Sequence, residues 1–135
     1  MKRGKMIKSE YVKVVRVLND GRRVSSFING HDTFFNADMI TYNLVDITEA
    51  PKNSLGIFLY VNDPKVYRVP GNIYNIKYCD NTYIEVYQIS IFGEINHRER
   101  EGAFVCPKIK LEKIIETARV NWSRWRVIGE EVLCD

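Results

Sequence analysis

The stretch Leu55-Gly56-Ile57-Phe58-Leu59-Tyr60-Val61 decides the class of fold that this sequence predicts. Read as an extended chain, it places Leu, Ile, Leu and Val on one face and Phe58 and Tyr60 on the other. Both faces are therefore apolar, which is typical of a strand that is covered on both sides. We predict that residues 55–61 form a central strand and that a sheet extends from it in both directions.

The chain before this strand predicts a hairpin and one further strand. Tyr11–Leu18 is rich in β-branched residues and leads into Asn19-Asp20-Gly21, whose residues tolerate the backbone conformation of a tight turn. We therefore expect a hairpin over about residues 11–28. Ile40–Ile47 is the next strand candidate, and Pro51 ends it because proline has no N–H to donate to a neighbouring strand.

The chain after the central strand predicts a second hairpin and a last strand. Ile73–Cys79 and Thr82–Phe92 flank the polar pair Asp80-Asn81, which suits a two-residue turn. Within the second arm the apolar residues move from one face to the other near Tyr87, which indicates a bulge. Phe104–Leu111 begins another strand.

Two segments carry helical signals. Asp63 followed by Pro64 is a helix start, because the carboxylate can cap the first turn and proline suits its first position, so we expect one turn through Tyr67. Residues 112–126 predict a longer helix. Its apolar residues recur at helical spacing: Ile114, Ile115, Ala118, Trp122 and Trp125.

Length and composition complete the prediction of the fold. The chain has 135 residues, of which 45% are hydrophobic and 27% are charged, so one ordered core is expected. We predict an α+β domain over residues 11–135, namely one twisted, mainly antiparallel sheet of six or seven strands with a C-terminal helix, after a basic segment at residues 1–10. Because no apolar run reaches about 20 residues and no signal peptide is apparent, we expect a cytoplasmic protein.

Metal and cofactor chemistry finds little support in the sequence. The cysteines, Cys79, Cys106 and Cys134, lack CxxC spacing, and only His31 and His97 are available to join them, so neither a zinc site nor a disulfide framework is expected. No glycine-rich phosphate-binding motif is present. We expect no metal and no cofactor, apart from the NAD of the alternative described below.

Four motifs of the chain together form a pattern that covers most of its length. They are Ser54–Tyr60, Tyr83-Ile84-Glu85-Val86-Tyr87, Phe92-Gly93-Glu94-Ile95 and Val105–Leu111. The pattern resembles small domains encoded by phages and large DNA viruses, in which a Gly-aromatic strand precedes a strand of the type EVE…GE and a SKIK-like strand ends the unit. The resemblance covers about residues 11–116. It implies a protein of viral or mobile-element type, located in the host cytoplasm, and implies no activity.

A second resemblance carries chemistry. Arg16 on a first strand, Ser54 before a middle strand, and Glu99 and Glu101 in a loop before a later strand resemble ADP-ribosyltransferases of the arginine–serine–glutamate class. The resemblance implies that Glu101 stabilises the positive charge that develops on the ribose of NAD, and that Glu99 orients or deprotonates the acceptor. Arg16 would bind the pyrophosphate, and Ser54 would position the glutamate.

Each of these residues also has a structural interpretation, and the sequence leaves both open. Arg16 can be a charge that protects an edge strand from aggregation. Ser54 can be an ordinary turn residue, and the loop that contains Glu99 and Glu101 can simply be solvated.

Aromatic and arginine side chains form the other candidate surface. A tyrosine-rich β-surface can line a pocket for a planar ligand, or its rings can pack across strands. Tryptophan beside arginine is typical of interaction hot spots and of base stacking, but on one helix face the same residues pack a core. The candidate ligand or partner residues are Tyr60, Tyr67, Trp122, Arg124, Trp125 and Arg126.

Three functional hypotheses follow from the sequence. The first is a non-enzymatic binding module of viral or mobile-element type that engages a host protein, another host macromolecule or a nucleotide-like small molecule. The second is an ADP-ribosyltransferase-like enzyme that acts on NAD. The third is binding of single-stranded nucleic acid, which the mild net charge of +3 supports only weakly.

Overall fold

The fold is a single antiparallel sheet. In a computed structural model, the described residues are 10–25, 40–52, 56–68, 83–97, 102–121 and 124–128. They form ten strands and one helix of a single turn. The elements are β1 Tyr11–Val17, β2 Arg23–Ser25, β3 Thr41–Tyr42, β4 Thr48–Glu49, β5 Ile57–Val61, α1 Pro64–Tyr67, β6 Tyr83–Phe92, β7 Asn96–His97, β8 Ala103–Cys106, β9 Lys108–Asn121 and β10 Arg124–Val127.

The order of the strands places the longest ones side by side. Along the main path the order is β10-β9-β6-β1-β5-β8-β7. The short strands lie beside this path, since β2 pairs with β1, β3 pairs with β2, and β4 pairs with β9. The position of β5 between β1 and β8 confirms the prediction of a central strand, and both Ile57 and Leu59 are fully buried in it.

Apolar side chains cover both faces of the sheet. One face, the first face, carries the core cluster that includes Val12, Val14, Ile84, Val86 and Ala118. The opposite face, the second face, carries a larger cluster, which includes Val15, Ile57, Leu59, Ile89, Ile91 and Ile109. The apolar content of β6 therefore passes from the first face to the second along the strand, as the sequence predicts.

Several local predictions are confirmed. β1 and β2 form the first hairpin, whose turn is closed by the hydrogen bond from Leu18 N to Arg22 O at 2.9 Å. The carboxylate of Asp63 accepts a hydrogen bond from Lys65 N at the start of α1, which ends at Tyr67. The bulge predicted in the strand 82–92 is displaced, because the register between β6 and β9 shifts on both sides of Tyr87 and Gln88 but the extra residues belong to β9.

The α+β prediction is wrong, because the described residues are nearly all β-structure. The segment predicted as a C-terminal helix at residues 112–126 instead belongs to β9 and β10. Val86 pairs with Glu116 while Tyr87 pairs with Ile114, so β9 contains an extra residue there, and a second shift follows two pairs later. Each extra residue breaks the two-residue alternation and produces the spacing of three that resembles a helix.

The number of strands is also larger than the predicted six or seven. Of the predicted strand Ile40–Ile47 only Thr41–Tyr42 is a strand, β3; a turn follows, and β4 begins beyond the predicted end, at Thr48. The short strand β7, Asn96–His97, has no counterpart in the prediction. The predicted strand Ile73–Cys79 and its turn at residues 80–81 lie outside the described residues. Within the described part of the chain, no helix is long and apolar enough to cross a membrane.

Candidate functional site

Only one of the four predicted transferase residues lies in the described part of the chain. Arg16 is buried in β1, with 5% of its surface exposed, and it lies on the first face because its register partner is Ile84. Ser54, Glu99 and Glu101 fall outside the described residues. The convergence that catalysis would require therefore stays a prediction.

The predicted aromatic surface is packed against the core. Tyr60 and Tyr67 are buried members of the first-face cluster, and Trp125 packs against the same cluster. The rings of Tyr67 and Trp125 meet edge to face, with 6.3 Å between their centroids. Trp122 and the side chain of Arg124 lie outside what the structure describes. The fold thus brings Tyr67 and Trp125 together, while their role toward a ligand stays a prediction.

Glu116 joins these two aromatic residues and is itself nearly buried. Its side chain is 6% exposed, and it accepts hydrogen bonds from Tyr67 Oη at 2.9 Å and from Trp125 Nε1 at 2.7 Å. Arg68 forms a bidentate ion pair with the same carboxylate, donating from Nε at 2.9 Å and from Nη2 at 2.5 Å. Burial and the hydrogen bond to Glu116 raise the pKa of Tyr67 to about 12. One carboxylate on β9 therefore ties α1 to β10.

A second buried carboxylate, that of Glu85, is surrounded by donors on the second face. The carboxylate of Glu85 accepts two hydrogen bonds from Arg23, at 2.9 and 3.2 Å, and one from Tyr87 Oη at 2.6 Å. Burial, followed by the bond to Glu85, raises the pKa of Tyr87 to about 12. Both carboxylates are supplied with charged and phenolic donors, which offsets the cost of burying them.

Lys13 is the most perturbed base in the described structure. It is 4% exposed, and its Nζ donates to the carbonyl oxygen of Phe58 at 2.7 Å. The ammonium also lies over the ring of Tyr42, 5.2 Å from the centroid. Desolvation by burial lowers the pKa of Lys13 to about 7, against an ordinary value of 10.5. The amine is therefore poised between its charged and neutral forms near neutral pH.

Cys106 lies close to Lys13 and beside an open groove. Burial raises the pKa of its thiol to about 11, and the thiol points to the carbonyl oxygen of Lys108 at 3.6 Å. The groove has a volume of about 320 Å³ and is lined in part by Gly56, Glu94 and Pro107. A protonated, buried thiol is a weak nucleophile, so this arrangement does not favour cysteine chemistry.

The exposed large hydrophobic residues of the described chain lie on β9 or on elements beside its outer edge. β4 pairs with the start of β9, at Lys108 and Ile109, and β10 pairs with its end, at residues 118–121. The intervening part of this edge has no strand partner among the described residues. We call its surroundings the apolar edge, which comprises all the exposed large hydrophobic residues of the described chain: Leu44, Val45, Ile47, Ile114, Ile115 and Ile128.

The turn that carries half of the apolar edge is held by its own side chains. The side-chain oxygen of Asn43 accepts hydrogen bonds from the backbone N–H of Val45 and of Asp46, both at 2.8 Å. The hydroxyl of Thr48 accepts one from Asn43 N at 2.8 Å. Val45 nevertheless exposes 80% of its surface. A well-bonded turn that presents an apolar tip is typical of a contact surface.

The sequence patterns did not predict the hydrogen-bonded carboxylates of Glu85 and Glu116, the burial of Lys13 or the apolar edge. The pair Glu85-x-Tyr87 was a usable signal, because residues two apart in a strand share a face. Asn43 followed by Asp46 was a second signal, since such residues favour turns over strand continuation. Nothing local indicated that Arg68 would reach Glu116, which is 48 residues away.

Comparisons of the chain with protein-family profiles, with curated proteins and with solved structures found no match. Among the residues described, no group of three or more histidine, cysteine, aspartate or glutamate side chains could hold a metal ion.

The pH dependence of stability tests the burial of Lys13. Because its pKa is lowered to about 7 in the folded chain, the unfolded chain binds more protons above pH 7. The free energy of unfolding should therefore rise from pH 7 to about 9, by up to about 1.4 kcal/mol per pH unit. Above pH 9 the raised pKa of Cys106 opposes the rise. Denaturation of Lys13→Met should show no such rise, whereas the exposed control Lys113→Met should retain it.

Replacement of Glu116 tests the carboxylate group on the first face. Glu116→Gln places an amide donor against the donors of Arg68, Tyr67 or Trp125, so it should lower the free energy of unfolding by about 2 kcal/mol. Urea denaturation measures the change, and the exposed Glu49→Gln is the control, with an expected change within about 0.5 kcal/mol. Equal effects of the two substitutions would contradict the assigned role of Glu116.

Proposed function

We propose that this protein is a non-enzymatic binding module that engages a partner protein through the apolar edge. The observation that supports this proposal is the placement of the exposed large hydrophobic residues. Those in the described chain lie in the turn before β4, in the middle of β9 and just after β10, and β4 and β10 both pair with β9. Clustered exposure of this kind marks protein contact sites, whereas isolated exposed apolar residues are normal.

The chemistry of the edge favours contact between side chains over simple addition of a strand. Lys110, Glu112 and Lys113 alternate in charge along this part of β9, and two register shifts distort its backbone. Charged residues and bulges are the features by which sheet edges resist non-specific pairing. The partner that fits is therefore a folded protein with an apolar patch bordered by charges of both signs.

The placement of the reactive groups also supports a binding role. Glu85 and Glu116 direct their oxygens to arginine, tyrosine and tryptophan donors of the same chain. Lys13 donates to a backbone carbonyl inside the core. These groups are engaged within the sheet, whereas the apolar edge presents its side chains to solvent.

Site-specific photo-crosslinking tests the proposal. A benzoylphenylalanine at position 45, at the tip of the turn, should give one discrete adduct with a partner protein in a cell extract. The same probe at position 65, an exposed site on α1, is the matched control and should give none. Excess unlabelled wild-type protein should compete for the adduct, whereas excess Val45→Asp should not, because a charge at the tip disfavours apolar contact.

The possible results separate clearly. A discrete adduct at position 45 that only the wild-type protein competes away supports the module. Equal adducts at positions 45 and 65, competition by Val45→Asp, or no adduct would overturn it. An adduct whose mass equals two copies of this chain would also overturn it, because the partner would then be the protein itself.

A further inference from the structure

The turn between β3 and β4 is anchored at both ends and exposed between them. Tyr42, at the end of β3, and Thr48, at the start of β4, are both buried. All residues from 43 to 47 are exposed, and three of them, Leu44, Val45 and Ile47, are large and apolar. We call residues 44–47 the turn tip. The sheet therefore presents an apolar tip on a base that is fixed in the core.

Hydrogen bonds within the turn order this tip. The side-chain oxygen of Asn43 accepts from the N–H groups of Val45 and Asp46, both at 2.8 Å. The hydroxyl of Thr48 accepts from Asn43 N at 2.8 Å, and the carboxylate of Asp46 accepts from Ile47 N at 2.8 Å. Four of the five exposed residues thus have their N–H bonded to a side-chain oxygen of the turn. Local polar contacts set the conformation, and the apolar side chains remain available to another molecule.

The turn tip also carries a negative charge beside its apolar side chains. Asp46 belongs to no ion pair within the described part of the chain. The same holds, among these residues, for the exposed Glu49 of β4, although it lies opposite Lys108 in the register. A surface that receives the tip is therefore complementary if it places a cation next to an apolar contact.

We propose that the turn tip enters, already ordered, an apolar pocket of a partner protein that holds a lysine or arginine beside Asp46. This inference rests on the proposed function, because it specifies how the partner binds one part of the apolar edge. An element that is ordered before binding loses less conformational freedom on association, which favours affinity. Asn43 is then a positioning residue, which acts by fixing Val45.

The charge at the tip favours a protein pocket over a lipid bilayer as the occupant. Insertion of residues 44–47 into hydrocarbon would carry the carboxylate of Asp46 with them, and burial of an unpaired charge there is costly. A protein pocket can supply a cation at the required place. The partner of the turn tip is accordingly a protein with a basic group at the rim of an apolar pocket.

Competition for the adduct at position 45 measures how each variant binds the partner. Unlabelled Asn43→Ala should be needed at a concentration at least about tenfold higher than wild type to halve the adduct, because the tip is no longer ordered. Asn43→Asp should stay within about threefold, since its carboxylate accepts from the same two N–H groups. The control Asn96→Ala removes an exposed asparagine of β7 and should stay within about twofold.

Backbone ¹⁵N relaxation of the protein alone shows whether the tip is ordered before binding. The order parameter of Val45 should be near about 0.85 in wild type and in Asn43→Asp, and below about 0.6 in Asn43→Ala. A wild-type value already below about 0.6 would overturn the proposal, because the tip would then become ordered only on the partner.

Reversal of the charge at the tip tests the basic rim. Asp46→Lys should weaken competition at least about fivefold at low salt, and the loss should shrink as salt increases. The control Glu10→Lys makes the same change of charge at an exposed position before β1 and should stay within about twofold. Equal effects of the two reversals would overturn the assignment of a cation beside Asp46.

The remaining outcomes separate this inference from the proposed function. An adduct for which Asn43→Ala competes as well as wild type would overturn the ordered tip and leave the binding module in place. No adduct at position 45 would overturn the proposed function and this inference with it. Sedimentation with vesicles of phosphatidylcholine and phosphatidylserine should show no binding; binding that Val45→Asp abolishes would identify a lipid surface and overturn the protein pocket.

Discussion

The pairing of β6 with β9 is the constraint on which the rest of the structure depends. β9 runs beside β6 from Lys108 to Ala118, and it also supplies the edge on which β4 and β10 pair. Two register shifts interrupt this pairing near Tyr87. Because directly paired residues share a face, these shifts determine which side chains of β9 enter the core and which remain outside.

The two buried carboxylates show how this register organises the sheet. Glu85 and Glu116 lie on adjacent strands but on opposite faces, since Glu85 is partnered with Thr117 and Glu116 with Val86. Each carboxylate receives a bidentate arginine and a tyrosine hydroxyl. The arginines come from distant elements, so each group joins parts of the chain that the backbone pairing alone leaves apart.

The sequence predicts those features that local patterns determine. The hairpin turn at Asn19–Gly21, the cap at Asp63 and the central strand at residues 57–61 were predictable, because turn chemistry and alternation act over a few residues. The strand structure of residues 112–126 was not predictable from local patterns. Its extra residues in β9 give Leu111 and Ile114 a spacing of three on one face, since Leu111 pairs with Ile89 and Ile114 with Tyr87, so the pattern resembles a helix. Only the pairing with β6 distinguishes a bulged strand from a helix here, and that pairing is a long-range interaction.

The candidate sites were less predictable for the same reason. Tyr67 and Trp125 were recognised as notable residues, but their common partner Glu116 depends on three elements meeting. The apolar edge arises because β4 and β10 cover only the ends of β9, which no local pattern shows.

Cross-strand nuclear Overhauser effects between β6 and β9 test this account most directly. The account predicts contacts of Ile84 with Ala118 and of Val86 with Glu116, followed by contacts of Tyr87 with Ile114 in the shifted register. Helical chemical shifts and contacts between residues four apart over 112–126 would contradict it. An unshifted register, with Tyr87 opposite Ile115, would also contradict it, because the side chains of β9 would then take different faces.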